Sequence, residues 1–254
     1  MRDLAADATR LRELHGRPLL LANAWDVPTA RLTEEAGFPA VATSSAAVAD
    51  GLGGQDTDSL DPDAAFGAIG AIAGAVSVPV TADVEAGYGL PAAELARRLL
   101  AAGAAGCNLE DSDHHGHEVL VDSDAQAERI SRLTKASRSA GVDLVVNARI
   151  DTYLRRIGDA DEQLAETLRR GRLYRAAGAD CVYPIGVVDP AHISVLVDEL
   201  GTVNVLLMPG VPSIAALTEL GVARMSVGSG LFELAMDEVR RAAAGLLTGD
   251  VWWT

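Results

Sequence analysis

Short apolar runs alternate along the chain with longer stretches in which hydrophobic positions recur every three or four residues. The runs are LLLANAW (19–25), AVATSS (40–45), PVTADVEA (79–86), AGCNLED (105–111), LVVNARID (144–151), DCVYPIG (180–186), NVLLMPG (204–210) and ARMSVGS (223–229). Their length predicts buried strands, and segments such as PAAELARRLLAAG and EQLAETLRRGRLYRAAG between them carry helical periodicity. Helical segments end in glycine just ahead of the next run, at Gly103 and Gly178 for example, where a left-handed C-cap turns the chain into a strand. Eight strand–helix units in 254 residues match the size and rhythm of a (β/α)8 TIM barrel. A doubly wound open sheet is the competing arrangement. The chain shows neither a composition break nor a linker, which favours one α/β barrel domain over 1–254. An N-terminal helix at about 3–15 precedes it and a C-terminal helix closes it.

Active sites in such a barrel gather at the C-terminal ends of the strands, so the polar residues there are the candidate chemistry. The second strand ends in Thr43, Ser44 and Ser45, and the third in Asp83 and Glu85. The fourth ends in Glu110 and Asp111, the fifth in Asn147, Arg149 and Asp151. Strand side chains alternate, which puts Asp83 and Glu85 on one face. A strand-end Asp or Ser can equally cap the next helix. Four neighbouring strands ending this way point instead to a site.

Carboxylates packed this closely repel one another unless a cation intervenes. Oxygen donors without histidine or cysteine suit Mg²⁺ first and Mn²⁺ second. Magnesium takes one or two direct carboxylates and keeps several waters, so Asp83 is the expected direct ligand, with Glu85 and Glu110 holding metal-bound water. Arg149 has a fork suited to a substrate carboxylate; its other reading is a buried salt bridge to Asp151 or Glu110. Trp25, ending the first strand, is either a pocket wall or a core residue.

Composition narrows the chemistry. A formal charge of −15 argues against a nucleic-acid partner. Lys135 is the only lysine and falls in the helical stretch AERISRLTKASRSAG, which excludes a Schiff-base aldolase, because that mechanism needs a desolvated lysine in its pocket. Cys107 and Cys181 lie inside apolar runs and read as buried thiols rather than a disulfide. The amino-terminal MRDLAADATRLRELHG is charged and amphipathic, unlike a signal peptide. No apolar run reaches the roughly 18 residues of a membrane span. A cytoplasmic protein without a membrane partner is expected. SVGSG (226–230) lacks the spacing of a nucleophile elbow, and no Walker A loop is present.

The segments ADVEAGYG, NLEDS and NARIDTYL, together with NAWDVPTARLTEEAGFPAVATSS, resemble the isocitrate lyase/phosphoenolpyruvate mutase superfamily, from about Leu19 to the last strand. The resemblance implies a Mg²⁺-dependent TIM barrel acting on small 2-oxo or 2-hydroxy carboxylates through an enolate-like intermediate. It further implies a homo-oligomer, tetramer or dimer, whose C-terminal helix packs on or swaps with a neighbour. By position, Asp83 matches the direct metal ligand and Glu85 and Glu110 the water-mediated ones. Asp56, in GLGGQDTDSL, matches an acidic residue facing the metal. Ser44, Ser45 and the backbone that follows at Ala46 match the segment binding substrate carboxylate and enolate oxygen, and Arg149 matches the substrate-binding arginine.

The chain departs from this pattern after the fourth strand. Family lyases carry a loop there with lysines, a cysteine and a histidine; this chain has DSDHHGHEVLVDSD. Glu85 also stands where many members have aspartate. Histidine titrates near neutral pH, so one of His114, His115 and His117 can replace the missing acid, with His117 taken alongside Arg149 and Glu110 as the catalytic set. The competing reading is a solvated polar loop. The function expected is a Mg²⁺-dependent carbon–carbon lyase, decarboxylation included. Phosphorus–carbon chemistry on phosphoenolpyruvate or phosphonopyruvate, and a carboxylate-binding barrel without turnover, are the alternatives.

Overall fold

The structure, a computed structural model, describes residues 3–114 and 116–249. Its strands are β1 (Leu19–Leu21), β2 (Asn23–Ala24), β3 (Val41–Thr43), β4 (Val80–Asp83), β5 (Gly106–Glu110), β6 (Val145–Ile150), β7 (Cys181–Pro184), β8 (Asn204–Leu206) and β9 (Arg224–Ser226). Strands β2 to β7 form one sheet in chain order, and β1, β9 and β8 form a second. Every ladder is parallel. The run 19–25 is split: β1 pairs with β9 and β2 with β3, so one apolar run serves both sheets. At the other seam a parallel bridge joins Val182 to Val203, and the Val182 N–H donates to the Thr202 carbonyl at 3.0 Å. The strands therefore succeed one another around a ring, as a TIM barrel requires.

The strands are shorter than the apolar runs. The run 40–45 stops pairing at Thr43 because Ser44 caps the next helix, α3 (Ser45–Gly51), accepting from the Ala47 N–H at 3.3 Å. The run 79–86 stops at Asp83. The run 105–111 gives β5, whose five residues are all buried, as expected for a parallel strand covered on both faces.

Helix α1 (Leu4–Leu14) begins at Asp3, whose side chain accepts from the Ala6 N–H. Its buried Ala8, Leu11 and Leu14 pack with Leu19, Leu21, Ala42 and Val145. Burying Leu11 completely contributes roughly 2 kcal/mol. The helix sits so close that a Cβ on Gly106 would lie 2.8 Å from Leu11 Cδ2 and 2.7 Å from the Val145 carbonyl oxygen. Helix α2 (Val27–Glu35) follows β2 and α9 (Ile214–Glu219) follows β8; the helices α4 (Pro62–Ala75), α5 (Ala92–Ala101), α6 (Ser123–Ser139), α7 (Ala160–Ala176) and α8 (Pro190–Leu200) follow β3 to β7, and the main core lies between these five and the sheet. Both cysteines are free and buried, and Lys135 lies on α6. The last helix, α10 (Gly230–Thr248), buries Phe232 but exposes Leu234 (64%), Val239 (61%) and Leu247 (91%). Among the described residues no helix is long and apolar enough to cross a membrane. Trp252 and Trp253 lie outside the described residues.

Candidate active site

The strand ends β3 to β6 bring the acidic residues together, but not as the two-residue alternation predicts. Strand β4 ends at Asp83, and Glu85 has φ +50, so the pair meets through a turn rather than along a pleat. Left-handed backbone is uncommon for a residue other than glycine, and here the surroundings hold it. The Glu85 carbonyl accepts from the Glu110 N–H at 3.0 Å. The Glu85 carboxylate, 2% exposed, accepts through Oε2 from the Asp58 backbone N–H. Asp58 is itself left-handed (φ +54), and its Oδ1 accepts from the Tyr88 N–H at 2.7 Å. The loop after β3 and the turn after β4 thus clasp each other. Asp58, absent from the predicted site, is the buried member of DTD, whereas Asp56 is exposed. The alternating acids in that loop were the available signal.

Asp83 accepts through Oδ2 from the Ser45 hydroxyl at 3.0 Å and the Ser45 N–H at 3.4 Å, and its own N–H donates to Thr43 Oγ1 at 2.8 Å. Each of these two carboxylates keeps one buried oxygen without a hydrogen-bond partner, Asp83 Oδ1 and Glu85 Oε1. Burial raises the Asp83 pKa; Arg149 and Ser45 oppose this, and Asp56 adds to it. Burial likewise pushes Glu85 up to about 8, against the Asp58 amide and with help from Asp56, Asp83 and Asp58.

Across the mouth, each Glu110 oxygen has one protein partner. Its Oε2 lies 2.6 Å from Arg149 Nη1, and its Oε1 lies 2.5 Å from His114 Nε2. Arg149 also donates from Nε (2.7 Å) and Nη2 (2.9 Å) to Asp151. The salt-bridge reading of Arg149 is therefore realised with both partners, and each of its nitrogens has one protein contact. The two terminal nitrogens keep one N–H each for another acceptor. Burial opposes the Arg149 charge, but Asp151, Glu110 and Asp83 raise its pKa well above the usual value. Burial also raises Glu110, against the pull of Arg149 and His114, while the hydrogen bond to Glu110 raises His114. Asp111 turns the other way, accepting from Tyr174 Oη (2.8 Å) and Arg170 Nη1 (3.1 Å) on α7.

Within DSDHHGHEVLVDSD a small hairpin is closed at its base, where Ser112 bridges Leu120 in antiparallel fashion and the Val121 N–H donates to the Asp111 carbonyl at 2.9 Å, and Asp122 then caps α6. Closing the hairpin at its base directs His114 to Glu110 and leaves His117 exposed. His115 lies outside the described residues. Ala46 and Asp56 line a cavity of about 290 Å³ beside Ser229 and Glu233. Trp25 packs edge-on against Phe232 of α10 at 5.3 Å, within the wall of a cavity of about 660 Å³.

The donors present fit a hard divalent cation. Among the described residues no three Asp, Glu, His or Cys side chains are already drawn together as a metal cluster. Magnesium needs only one or two direct carboxylates, however, and two adjacent buried carboxylates each keep one oxygen unused. An unpartnered buried carboxylate oxygen is costly, and a cation with its waters removes that cost.

Residues 11–247 match the family model described as phosphoenolpyruvate phosphomutase, and the chain belongs to that family. It is an α/β barrel of the phosphoenolpyruvate mutase/isocitrate lyase superfamily. An uncharacterized protein of Mycobacterium tuberculosis is 34% identical over 94% of this chain and 89% of its own length. The 2-methylisocitrate lyase of Bacillus subtilis is 31% identical over 70% of this chain and 59% of its own. The solved structure of phosphoenolpyruvate phosphomutase from Streptomyces platensis subsp. rosaceus superposes with a TM-score of 0.83 at 29% identity, covering 95% of this chain and 88% of that one.

Proposed function

We propose that the chain is a divalent-cation-dependent lyase, using Mg²⁺ or Mn²⁺, that breaks a carbon–carbon bond in a small 2-oxo or 2-hydroxy carboxylic acid by way of an enolate. The supporting observation is the pair of buried, unpartnered oxygens on Asp83 and Glu85. The likeness to a 2-methylisocitrate lyase supports the reaction class. A cation held there supplies positive charge against the negative charge that develops on the enolate oxygen.

Asp83 would hold the ion directly, with Glu85, Glu110 and Asp56 reaching it through water. Ser44, Ser45 and Ala46 flank the substrate carboxylate, and the remaining N–H groups of Arg149 orient it. His114, hydrogen-bonded to Glu110, would carry a proton in this site, whereas His117 is exposed. Decarboxylation needs no enzyme acid for its first step, which agrees with a hairpin after β5 that lacks cysteine and lysine. The exposed apolar face of α10 is where a second copy of the chain docks, with Trp25 and Phe232 beneath it.

Incubation with Mg²⁺ and a panel of 2-oxo acids, oxaloacetate and phosphonopyruvate included, followed by NMR, tests the proposal. Turnover lost both in Asp83→Ala and in chelated protein is the expected result, and the product distinguishes carbon–carbon from phosphorus–carbon cleavage. Turnover that survives both treatments overturns it. So does metal-dependent oxalate binding without any product, which would leave a binding barrel.

A further inference from the structure

Two arginines stand at the ends of one hydrogen-bond chain across the mouth. Asp151 accepts from Arg149, Ser112 donates its hydroxyl to Asp151 Oδ2 at 2.6 Å, and Arg155 Nε donates to Ser112 Oγ at 3.0 Å. Ser112 and Asp151 are both buried. The turn that carries Arg155 is fixed by its own backbone. The Arg155 N–H donates to the Asp151 carbonyl at 2.8 Å, and the Ile157 N–H to the Thr152 carbonyl at 2.9 Å. Arg155 is thus anchored at Nε on an otherwise exposed side chain, three hydrogen bonds removed from Arg149.

Arg155 forms no ion pair with a carboxylate among the described residues, although acidic residues outnumber basic ones 36 to 21 in the chain. Arg149 already has every nitrogen on a protein acceptor. The neighbouring loops offer no substitute. IGVVD after β7 and LMPGVPS after β8 contain no lysine or arginine, and they expose Val188 and Met208. An exposed arginine is ordinarily a solvated side chain. Nε anchoring to a buried serine on a rigid turn is a preorganised arrangement, of the kind that lowers the entropy of binding an anion.

We propose that Arg155 selects the substrate: its terminal nitrogens take a second anionic group, carboxylate or phosphoryl, on a substrate whose 2-oxo acid end lies at Asp83 and Ser45. The substrate class is then a dianion of a few carbons rather than a monocarboxylate. This rests on the carboxylate site described under Proposed function, and adds to it a residue outside the set matched by position to the superfamily.

Calorimetry on the Mg²⁺-loaded protein tests the assignment, comparing wild type, Arg155→Gln and Arg155→Lys with three probes. Oxalate occupies only the chelating end; 3,3-difluorooxaloacetate and phosphonopyruvate add a carboxylate or a phosphonate. Arg155→Gln is expected to bind oxalate within about twofold of wild type while losing about 10- to 100-fold for a probe that carries an anionic group beyond the chelating end, the size of a charged hydrogen bond, with partial recovery in Arg155→Lys. Which probe suffers identifies the group. Equal losses for all three, or no loss for any, overturns the assignment while leaving the carboxylate site intact. Wild-type protein that fails to bind oxalate with Mg²⁺ overturns both.

Discussion

Arg149 and Glu110 are paired at 2.6 Å inside the mouth of the barrel, with both side chains almost wholly buried. The pair is knit into a larger group, since Glu110 also holds His114 and Arg149 also holds Asp151. Removing one partner from a buried ion pair leaves an uncompensated charge, which costs about 3–5 kcal/mol. Arg149→Met is therefore expected to lower unfolding free energy by about that amount in urea titrations, with Arg149→Lys losing less. A stability unchanged by Arg149→Met would mean that the group is not held together as described.

Glu85 makes the metal-free protein sensitive to alkali. Its pKa is pushed up to about 8 in the folded chain, from the ordinary 4.5. Between these values the native state keeps a proton that the unfolded chain has released. The associated stability is thus complete below about pH 4.5 and lost as pH rises through about 8. Asp111, pushed up to about 6 by burial and Asp151, acts in the same direction. In the presence of chelator the melting temperature should fall from about pH 5 to about pH 8.5, and both Glu85→Gln and added Mg²⁺ should flatten that fall. A slope indifferent to both would remove Glu85 from the cation site.

The two described histidines of the hairpin after β5 should separate cleanly. His114 lies against Glu110, whereas His117 is exposed. His114→Gln is expected to reduce kcat by about 100-fold, in the range of a lost general acid. His117→Gln should leave kcat and KM within about twofold, the range in which surface substitutions away from a site usually fall. Steady-state kinetics on the product found by NMR decides; equal effects of the two substitutions would return the loop to a solvated role.

At the opposite end of the barrel, Gly106→Ala places a methyl group 2.7 Å from the Val145 carbonyl oxygen and 2.8 Å from Leu11 Cδ2. Overpacking of this kind costs about 1–3 kcal/mol, and here α1 must shift to admit it. Chemical denaturation should register the loss without change in Mg²⁺ affinity. A neutral Gly106→Ala would show that α1 packs less tightly than the contacts indicate.

Much of the barrel is legible in the sequence because its parallel strands are buried on both faces and read as continuous apolar runs, separated by helical periodicity. The ends of those runs are less legible. Ser44 and Ser45 continue the apolar segment yet begin a helix, and 79–86 loses its last residues to a turn. The acidic pair Asp83 and Glu85 was found through strand alternation, but the structure joins it through a left-handed Glu85 clasped by Asp58. Nothing in local propensity favours that conformation for glutamate. Asp58 and the choice of His114 over His117 both depend on which loops touch, a tertiary fact that no periodicity carries. Arg149 was visible with two roles, and the geometry places its nitrogens on Glu110 and Asp151.

The most direct measurement is the binding of Mn²⁺ to metal-free protein by electron paramagnetic resonance, in wild type, Asp83→Asn and Glu85→Gln. The expected result is one site per chain, abolished in Asp83→Asn, weakened in Glu85→Gln and displaced by Mg²⁺. Mn²⁺ bound equally by all three proteins, or by none of them, would contradict a cation site at the unpartnered oxygens of Asp83 and Glu85.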